Sequence, residues 1–295
     1  MARIKLVLAF LALVLLAAGG VAVAYYWKKV FRPNLEMEHQ IEHADGKNGK
    51  VEAPDLGNRE FEAAVDLLKE GELISARDRL YYLMKFYPES ASFPEAKRIV
   101  GDINMDLLIS RVPLPKKQEH VVGRDYLSTI ARKYDTTLDY IMRANGRTTT
   151  TIYPGDRLTV YPLNFTVVVD LAANAVRLEE DGQFFCEYPI RKVNLPPTLK
   201  APAETTVSEK VAWKDGRGVS FDKRDYFGAT KWIRTGKIGL FIRAFDPSKE
   251  EPKKEEKDDA TAANSVDDFG VMVDRSDLEE MFTVLRTGSP VKLVK

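Results

Sequence analysis

The chain has 295 residues, 44% of them hydrophobic, and its 44 basic and 44 acidic side chains give a formal net charge of zero. A neutral chain gives no electrostatic reason to expect a nucleic-acid partner. The one cysteine, Cys186, excludes an intramolecular disulfide and any cysteine-cluster metal site. At roughly 100–200 residues per domain, this length predicts two or three domains.

The first segment, residues 1–32, is predicted to be a membrane anchor or a signal peptide. Residues 6–27 contain no charged side chain and are flanked by lysines and arginines. At about 1.5 Å per residue, a helix of this length spans a ~30 Å hydrocarbon core. The alternative is a cleaved signal peptide, because Ala22-Val23-Ala24 has the pattern of a cleavage site. The anchor is favoured because the apolar stretch is longer than a secretory core needs.

Residues 33–57 contain few apolar side chains and several glycines and prolines, which predicts a flexible linker. His39 and His43 would share one face if this segment were helical. Because a solvated linker offers no further ligands, we expect no metal there. No cofactor is expected elsewhere in the chain.

Residues 58–111 predict three helices, each with one apolar face. Asn58 is the expected N-cap of the first helix and Gly71 its C-terminal stop. The apolar residues at helical spacing are Phe61, Ala64, Val65 and Leu68, then Ala76, Leu80, Leu83 and Tyr87, then Ala96, Ile99, Val100, Ile103 and Leu107.

The second helix and the turn after it resemble a tetratricopeptide (TPR) repeat at Ala76, Leu80, Leu83 and Pro88. The resemblance implies a protein-docking surface, and the alternative is a packing stalk or a self-associating segment. We favour the stalk or self-association, because the likeness covers about one and a half repeats and solenoids need about three.

Residues 118–162 predict a strand, two helices and a second strand. His120-Val121-Val122 forms the first short strand, which Gly123 ends. Two apolar helical patterns follow, and Asn145-Gly146 ends the second. A turn at residues 153–156 then leads into the strand 158–160.

This segment resembles a LysM domain, a βααβ module that binds glycans containing N-acetylglucosamine. One departure is Arg124, which stands where the family usually has glycine. The matching positions are Val121, Asp125, Leu127, Ile130, Ala131, Asn145, Ile152, Pro154, Gly155, Leu158 and Val160.

The resemblance implies a glycan groove between two loops, residues 123–127 and 151–155. Backbone groups and apolar contacts would recognise the N-acetyl groups there. Tyr126 and Tyr153 are candidates for stacking on sugar rings, with packing inside the domain as the alternative for each. The candidate glycan-binding residues are Gly123, Arg124, Asp125, Tyr126, Leu127, Ile152, Tyr153, Pro154 and Gly155.

Residues 165–295 predict a mainly-β sandwich, so the whole chain is expected to be a multidomain α+β protein. One helix, 276–285, has Ser276 as its N-cap and Glu279 in the capping-box position. The strongly charged segment 248–264 predicts a disordered surface loop. The predicted strands are 165–169, 175–178, 184–190, 207–213, 231–234, 238–243 and 291–294.

The carboxy-terminal segment is similar to the L,D-transpeptidase (YkuD) catalytic domain. The matching stretches are 165–170, 188–190, 227–232, 277–281 and 288–291. The family attacks a peptide carbonyl with a cysteine thiolate and an adjacent histidine base, in the motif S-H-G-C-I-R. Counting back from Asp277, the motif's His, Cys and Arg positions fall on Asp268, Gly270 and Met272. The resemblance therefore implies a catalytically inactive domain used for binding or scaffolding.

No other residue offers a replacement nucleophile. The last histidine is His120, so neither Cys186 nor Ser265 has a histidine partner in this segment. Cys186 lies in an alternating strand among aromatic side chains, which predicts a buried core thiol.

Three functions remain open. The favoured one is a membrane-anchored, non-catalytic protein that binds peptidoglycan or a chitin-like glycan. The second is an active L,D-transpeptidase with relocated catalytic residues, and the third is an adaptor that recruits cell-wall enzymes through its TPR-like helices. All three imply a bacterial, single-pass protein of the cytoplasmic membrane whose soluble part is periplasmic or otherwise extracytoplasmic.

Overall fold

The computed structural model of the protein describes residues 55–221, 223–247 and 269–295. The predicted anchor, His39, His43, the loop 248–264, Ser265 and Asp268 all lie outside these residues. No helix in the described part of the chain is long and apolar enough to cross a membrane. The residues from Gly57 to the last residue form one compact unit.

The described residues begin with three helices, α1 (Leu56–Lys69), α2 (Leu73–Phe86) and α3 (Phe93–Ile109). The N-cap expected at Asn58 is wrong, because α1 begins two residues earlier. The Asn58 amide instead donates to Glu62 Oε1 at 3.3 Å within the first turns. The stop expected at Gly71 is confirmed: its φ is +81°, and the Glu72 N–H donates to the Leu67 carbonyl at 2.9 Å.

The three helices bury the faces that the periodicity predicts. Their shared core contains Ala64, Leu80, Leu83, Ala96, Val100, Ile103 and Leu107. Burial of apolar surface stabilises the fold by about 25 cal/mol per Å². This cluster therefore holds the three helices together.

The helix α3 also packs directly against a strand of the carboxy-terminal sandwich. Gly101 lies so close to that strand that an added Cβ would stand 3.1 Å from Cys186 Cβ. The Asn104 amide donates to the Phe185 carbonyl at 2.7 Å, and Lys97 pairs with Glu187 at 2.5 Å. The helices are therefore packed into the same folded body as the sandwich.

The next elements are β1 (Gln118–Val121), α4 (Leu127–Lys133), α5 (Leu138–Ala144) and β2 (Arg157–Val160). The two strands pair antiparallel, with Gln118 opposite Val160. The predicted βααβ order is confirmed. Its buried side chains include Val122, Leu127, Ile130, Tyr140, Ile141, Leu158 and Val160.

Within its described residues, the carboxy-terminal sandwich has nine strands and one α-helix. The strands are β3 (Phe165–Asp170), β4 (Ala175–Glu180), β5 (Gln183–Asn194), β6 (Ala203–Lys214), β7 (Arg217–Gly218), β8 (Thr230–Thr235), β9 (Phe241–Ala244), β10 (Gly270–Val273) and β11 (Pro290–Val294). The helix α6 spans Arg275–Val284, and a 3₁₀ turn spans Arg224–Tyr226.

The strands form a closed ring in the order β11-β3-β4-β5-β10-β9-β8-β6, with β7 added beside β6, because β11 pairs with both β3 and β6. The 12-residue strands β5 and β6 each belong to both layers. The first half of β5 pairs with β4 and its second half with β10. This arrangement positions β10, which carries Gly270 and Met272, in the middle of one layer.

Two local expectations in the sandwich are wrong. Residues 238–240 precede β9, and Ile238 is 81% exposed. The residue at the N-cap of α6 is Asp274, so Ser276 lies inside the helix and its hydroxyl donates to Asp277 at 3.1 Å. Glu279 makes no capping box; it accepts from the buried Lys231 ammonium at 2.5 Å, because a buried charge requires a partner.

The βααβ module is attached to the sandwich through the start of α5. Asp139 accepts a hydrogen bond from the Tyr226 hydroxyl at 2.8 Å and lies 3.6 Å from Lys210 Nζ. The Thr137 hydroxyl donates to the Thr283 carbonyl at 2.5 Å. Burial lowers the pKa of Lys210, and Asp139 opposes that shift. One continuous apolar core runs through the module and the sandwich.

Candidate glycan-binding site and the cavity beside Gly270

The first loop of the βααβ module is held by Asp125. Its Oδ2 accepts the Gly123 N–H at 3.2 Å and lies 3.1 Å from His120 Nε2. His120 is buried, and its Nδ1 lies 3.1 Å from the Tyr134 hydroxyl. The Gly123 N–H and, after it, His120 hold the pKa of Asp125 below its usual range. The carboxylate is thus the acceptor that fixes the conformation of residues 123–125.

Arg124 fits this loop without backbone strain. It is exposed, and it is not among the described non-glycine residues that have a positive φ. An L-residue therefore takes the place of the family's glycine without occupying the left-handed region. The substitution adds a cation at the mouth of the loop.

The second loop depends on Gly155 and Asp156. Gly155 has a φ of +92°, which favours glycine. Asp156 Oδ2 accepts the Tyr153 N–H at 3.1 Å and also pairs with the Arg147 guanidinium. Arg147 in turn donates to the Thr151 carbonyl at 2.8 Å. These contacts close the loop on itself.

The two loops lie side by side because their backbones are hydrogen-bonded. The Val122 N–H donates to the Asp156 carbonyl, and the Gly155 N–H donates to the Val122 carbonyl, both at 2.8 Å. Asn145 supports the second strand, accepting the Thr159 N–H at 2.8 Å and donating to the Thr159 carbonyl at 3.0 Å.

The two loop tyrosines project into solvent. Tyr126 is 77% exposed and Tyr153 is 66% exposed. Such exposure leaves both rings available to a ligand and argues against a packing role for either. Leu127 requires a correction, because it is 3% exposed and its side chain belongs to the core. Only backbone groups of Leu127 could contact a glycan, whereas Ile152 is half-buried and Pro154 is exposed.

The sequence did not single out His120, Arg147 and Asp156 as residues that shape the loops. Asp156 follows a Pro-Gly turn, a position where aspartate commonly accepts local backbone N–H groups, so that signal was present. The contacts of His120 and Arg147 cross between elements, and local patterns do not show such contacts.

In the sandwich, the expected cysteine position has a backbone suited to glycine. Gly270 has a φ of +135°, and an added Cβ would stand 2.8 Å from the Phe241 carbonyl oxygen. Met272, at the expected arginine position, is 7% exposed, and Asp268 lies outside the described residues. Residues 239–243, around the start of the neighbouring strand β9, contain no histidine.

Strand β10 borders a cavity of about 970 Å³. Met272, its neighbour Lys192 on β5 and its neighbour Arg243 on β9 contribute to the wall. Trp213 and Trp232 line it further along the sheet. A cavity therefore lies beside Met272 of β10, with cations and indoles in its described wall.

Cys186 lies outside this cavity wall and is 3% exposed. Burial raises the pKa of its thiol far above the usual range, which disfavours the reactive thiolate. The predicted core thiol is confirmed. Within the described residues, no group of three or more His, Cys, Asp or Glu side chains could hold a metal ion.

Comparison with known proteins identifies one module. The LysM domain model matches residues 120–160. Curated protein sequences give no match to the chain.

Among solved structures, the chain is similar to the L,D-transpeptidase (Yku) from Stackebrandtia nassauensis, with 17% identity and a TM-score of 0.30 over 45% of this chain and 56% of that one. For the L,D-transpeptidase from Mycobacterium smegmatis the identity is 10% and the TM-score 0.30, over 48% and 64% of the two chains. For L,D-transpeptidase 1 of Mycobacterium tuberculosis these values are 10% and 0.29, over 44% and 62%. Likenesses of this size establish no shared activity.

The family match covers both loops, both helices, β2 and the last two residues of β1. Residues 120–160 are therefore a LysM domain.

Proposed function

We propose that this protein is a bacterial cell-wall protein that binds peptidoglycan through N-acetylglucosamine units at the two LysM loops. The observation that carries the proposal is the pair of hydrogen-bonded loops, 123–127 and 151–155, which present exposed Tyr126 and Tyr153. Two rings on adjoining loops offer apolar faces to sugar rings, while the loop backbones offer polar groups to the N-acetyl substituents.

The test is sedimentation of the full chain with purified sacculi, together with titration by N-acetylglucosamine oligomers. The Tyr126→Ala and Tyr153→Ala variants should each weaken binding several-fold, and the double variant should abolish cosedimentation. Tyr82→Ala, which alters an exposed tyrosine on α2, serves as the matched control. Undiminished binding by the double variant would show that the glycan is bound elsewhere.

We further propose that the sandwich is a degenerate L,D-transpeptidase domain that binds or scaffolds without catalysis. The order of the sequence matches supports the family assignment, and the backbone at Gly270 supports the loss of activity. Incubation of the full chain with tetrapeptide muropeptides should yield neither 3-3 cross-links nor an acyl-enzyme at Cys186. Either product would support the alternative of an active enzyme with relocated residues.

The proposed location is the outer side of the cytoplasmic membrane, with the uncharged segment 6–27 as a single-pass anchor. Fractionation followed by protease treatment of spheroplasts tests this. A membrane-bound chain that is digested from outside is expected, and a chain protected from protease would oppose the proposal.

An adaptor role through α2 is the second candidate. Tyr82 and Phe86 lie four residues apart on one face of this helix, with ring centres 4.6 Å apart, and are 44% and 55% exposed. If this face recruits cell-wall enzymes, Phe86→Ser should weaken binding to a purified partner hydrolase or synthase and leave glycan binding unchanged. Equal binding by Phe86→Ser and the unaltered chain would exclude this face.

A further inference from the structure

One wall of the cavity beside β10 is a stack of arginines and tryptophans. Arg234 Cζ lies 5.9 Å from the Trp213 ring centre and 5.8 Å from the Trp232 ring centre. Arg243 Cζ lies 5.8 Å from the Trp232 ring centre. The indole faces attract the guanidinium groups and restrict their rotation. The guanidinium groups of Arg234 and Arg243 are thus positioned by the neighbouring indole rings.

Two hydrogen-bond donors in the stack are buried without an acceptor. Among the described residues, Trp213 Nε1 and Arg234 Nε have no hydrogen-bond partner. Glu209 lies 3.4 Å from a different nitrogen of Arg234, Nη1, and its side chain is 58% exposed. Leaving buried donors unsatisfied is costly, so their occurrence on adjacent strands of one cavity wall requires an explanation.

The charge of the cavity wall indicates what kind of acceptor it suits. Lys231 is already paired with Glu279 at 2.5 Å, so the excess charge comes from the other cations. Among the described residues, five cationic side chains line the cavity against two carboxylates. They are Lys192, Lys231, Arg234, Arg243 and Arg275, against Asp246 and Glu279. A cleft with one predominant sign of charge concentrates ligands of the opposite sign.

We propose that the Trp213–Arg234 end of this cavity binds an oxyanion, the carboxylate or phosphate group of a larger ligand. Arg234 Nε and Trp213 Nε1 would each donate to an oxygen of that group, which satisfies both buried donors. Hydrogen bonds from a charged donor to an anion are roughly twice as strong as neutral ones. This site lies outside the LysM loops and does not depend on glycan binding there.

The experiment uses the intrinsic fluorescence of the full chain. The sequence contains three tryptophans, so a Trp27→Phe background leaves Trp213 and Trp232 as the reporters. Sodium phosphate and sodium acetate are titrated in separate arms, with sodium chloride at matched ionic strength as the control. We expect a saturable change with at least one oxyanion and none with chloride. A response to phosphate alone assigns a phosphoryl ligand, and a response to acetate alone assigns a carboxylate.

Variants locate the response. Arg234→Gln should weaken the affinity at least about tenfold, the range for a hydrogen bond to a charged group. Trp213→Phe keeps the ring and removes one donor, so about a two- to tenfold loss is expected. Arg217→Gln, on β7 and outside the cavity wall, should leave the affinity unchanged.

The proposal is overturned if neither oxyanion gives a saturable response, or if Trp213→Phe and a folded Arg234→Gln both bind with unaltered affinity. If Arg234→Gln fails to fold, as judged by circular dichroism, the Trp213→Phe result decides. Sedimentation with sacculi is measured on the same preparations, so a failure of this site is distinguished from a failure of the LysM proposal.

Discussion

At residue 270 the main chain adopts a conformation that only glycine occupies readily. The added Cβ would approach the neighbouring strand's carbonyl, because β9 and β10 pair in parallel at this point. The position that corresponds to the family's cysteine therefore has a backbone that does not accommodate a side chain. The order of the motifs in the sequence predicts that residue 270 is not a cysteine nucleophile. The positive φ of Gly270 could not be predicted, because it depends on how β10 pairs with its neighbours.

A cysteine placed at residue 270 should thus destabilise the protein. Gly270→Cys is expected to cost about 1–3 kcal/mol in the free energy of unfolding, the range for a strained backbone residue. Gly218→Cys is the control, because an added Cβ there has open space. Urea unfolding measures both variants. Equal stability of the two would mean that the strand around residue 270 adjusts freely.

The pKa of Asp125 predicts how the first LysM loop responds to pH. A carboxyl group whose folded pKa lies below its ordinary value of 3.8 stabilises the fold above that value, and this contribution is lost as pH falls through the folded pKa. Glycan binding should therefore be insensitive to this group between pH 5 and 8 and decline only below about pH 4. Titration of binding against pH, with Asp125→Asn compared at pH 7, checks this. An Asp125→Asn variant with full affinity at pH 7 would refute the role of the carboxylate.

At the scale of elements, the start of α5 does two things. Thr137 accepts the Tyr140 N–H at 2.9 Å and so caps the helix, while its hydroxyl donates across to α6. Asp139, the second residue of the helix, accepts a hydrogen bond from the Tyr226 hydroxyl and lies 3.6 Å from Lys210 Nζ of the sandwich. The apolar spacing predicts this helix correctly, whereas its polar partners come from residues about 70–150 positions further along and could not be read from local pattern.

Asp139→Asn tests this attachment. Asparagine can still accept from Tyr226 but no longer balances the Lys210 charge, whose side chain is 13% exposed. We expect a loss of roughly 1–3 kcal/mol at pH 7, below the value for a fully buried pair because both side chains keep some exposure. The loss should shrink at pH 10, since the lowered pKa lets Lys210 release its proton. Asp106→Asn, exposed on α3, is the control, and a loss that is equal at both pH values would contradict the account.

At the scale of the whole molecule, three segments that the sequence separates form one folded body. The modules could be predicted individually, since helical spacing, strand alternation and turn residues are local signals. Their packing could not, because contacts such as Gly101 against Cys186 join residues that are far apart in the chain. The cavity residues could not be predicted either, because Trp213, Arg234 and Arg243 lie on three different strands and meet only in the folded sheet.

A single cooperative unfolding transition is therefore expected for the described body. Far-ultraviolet circular dichroism follows the helices, and tryptophan fluorescence in the Trp27→Phe background follows the sandwich. Their urea transitions should coincide, as two-state unfolding requires. If the two probes give different urea midpoints in this Trp27→Phe protein, the helices or the LysM domain unfold independently.

Pairing of the closing strand β11 also protects newly synthesised chains from aggregation. It joins β3 on one side and β6 on the other, so the ring of described strands has no long open edge once β11 is paired. Until then, two strands present unpaired backbone groups that other chains could extend. A chain that stops short of Pro290 leaves both edges open at once, and such fragments should aggregate although they keep every residue of the LysM domain.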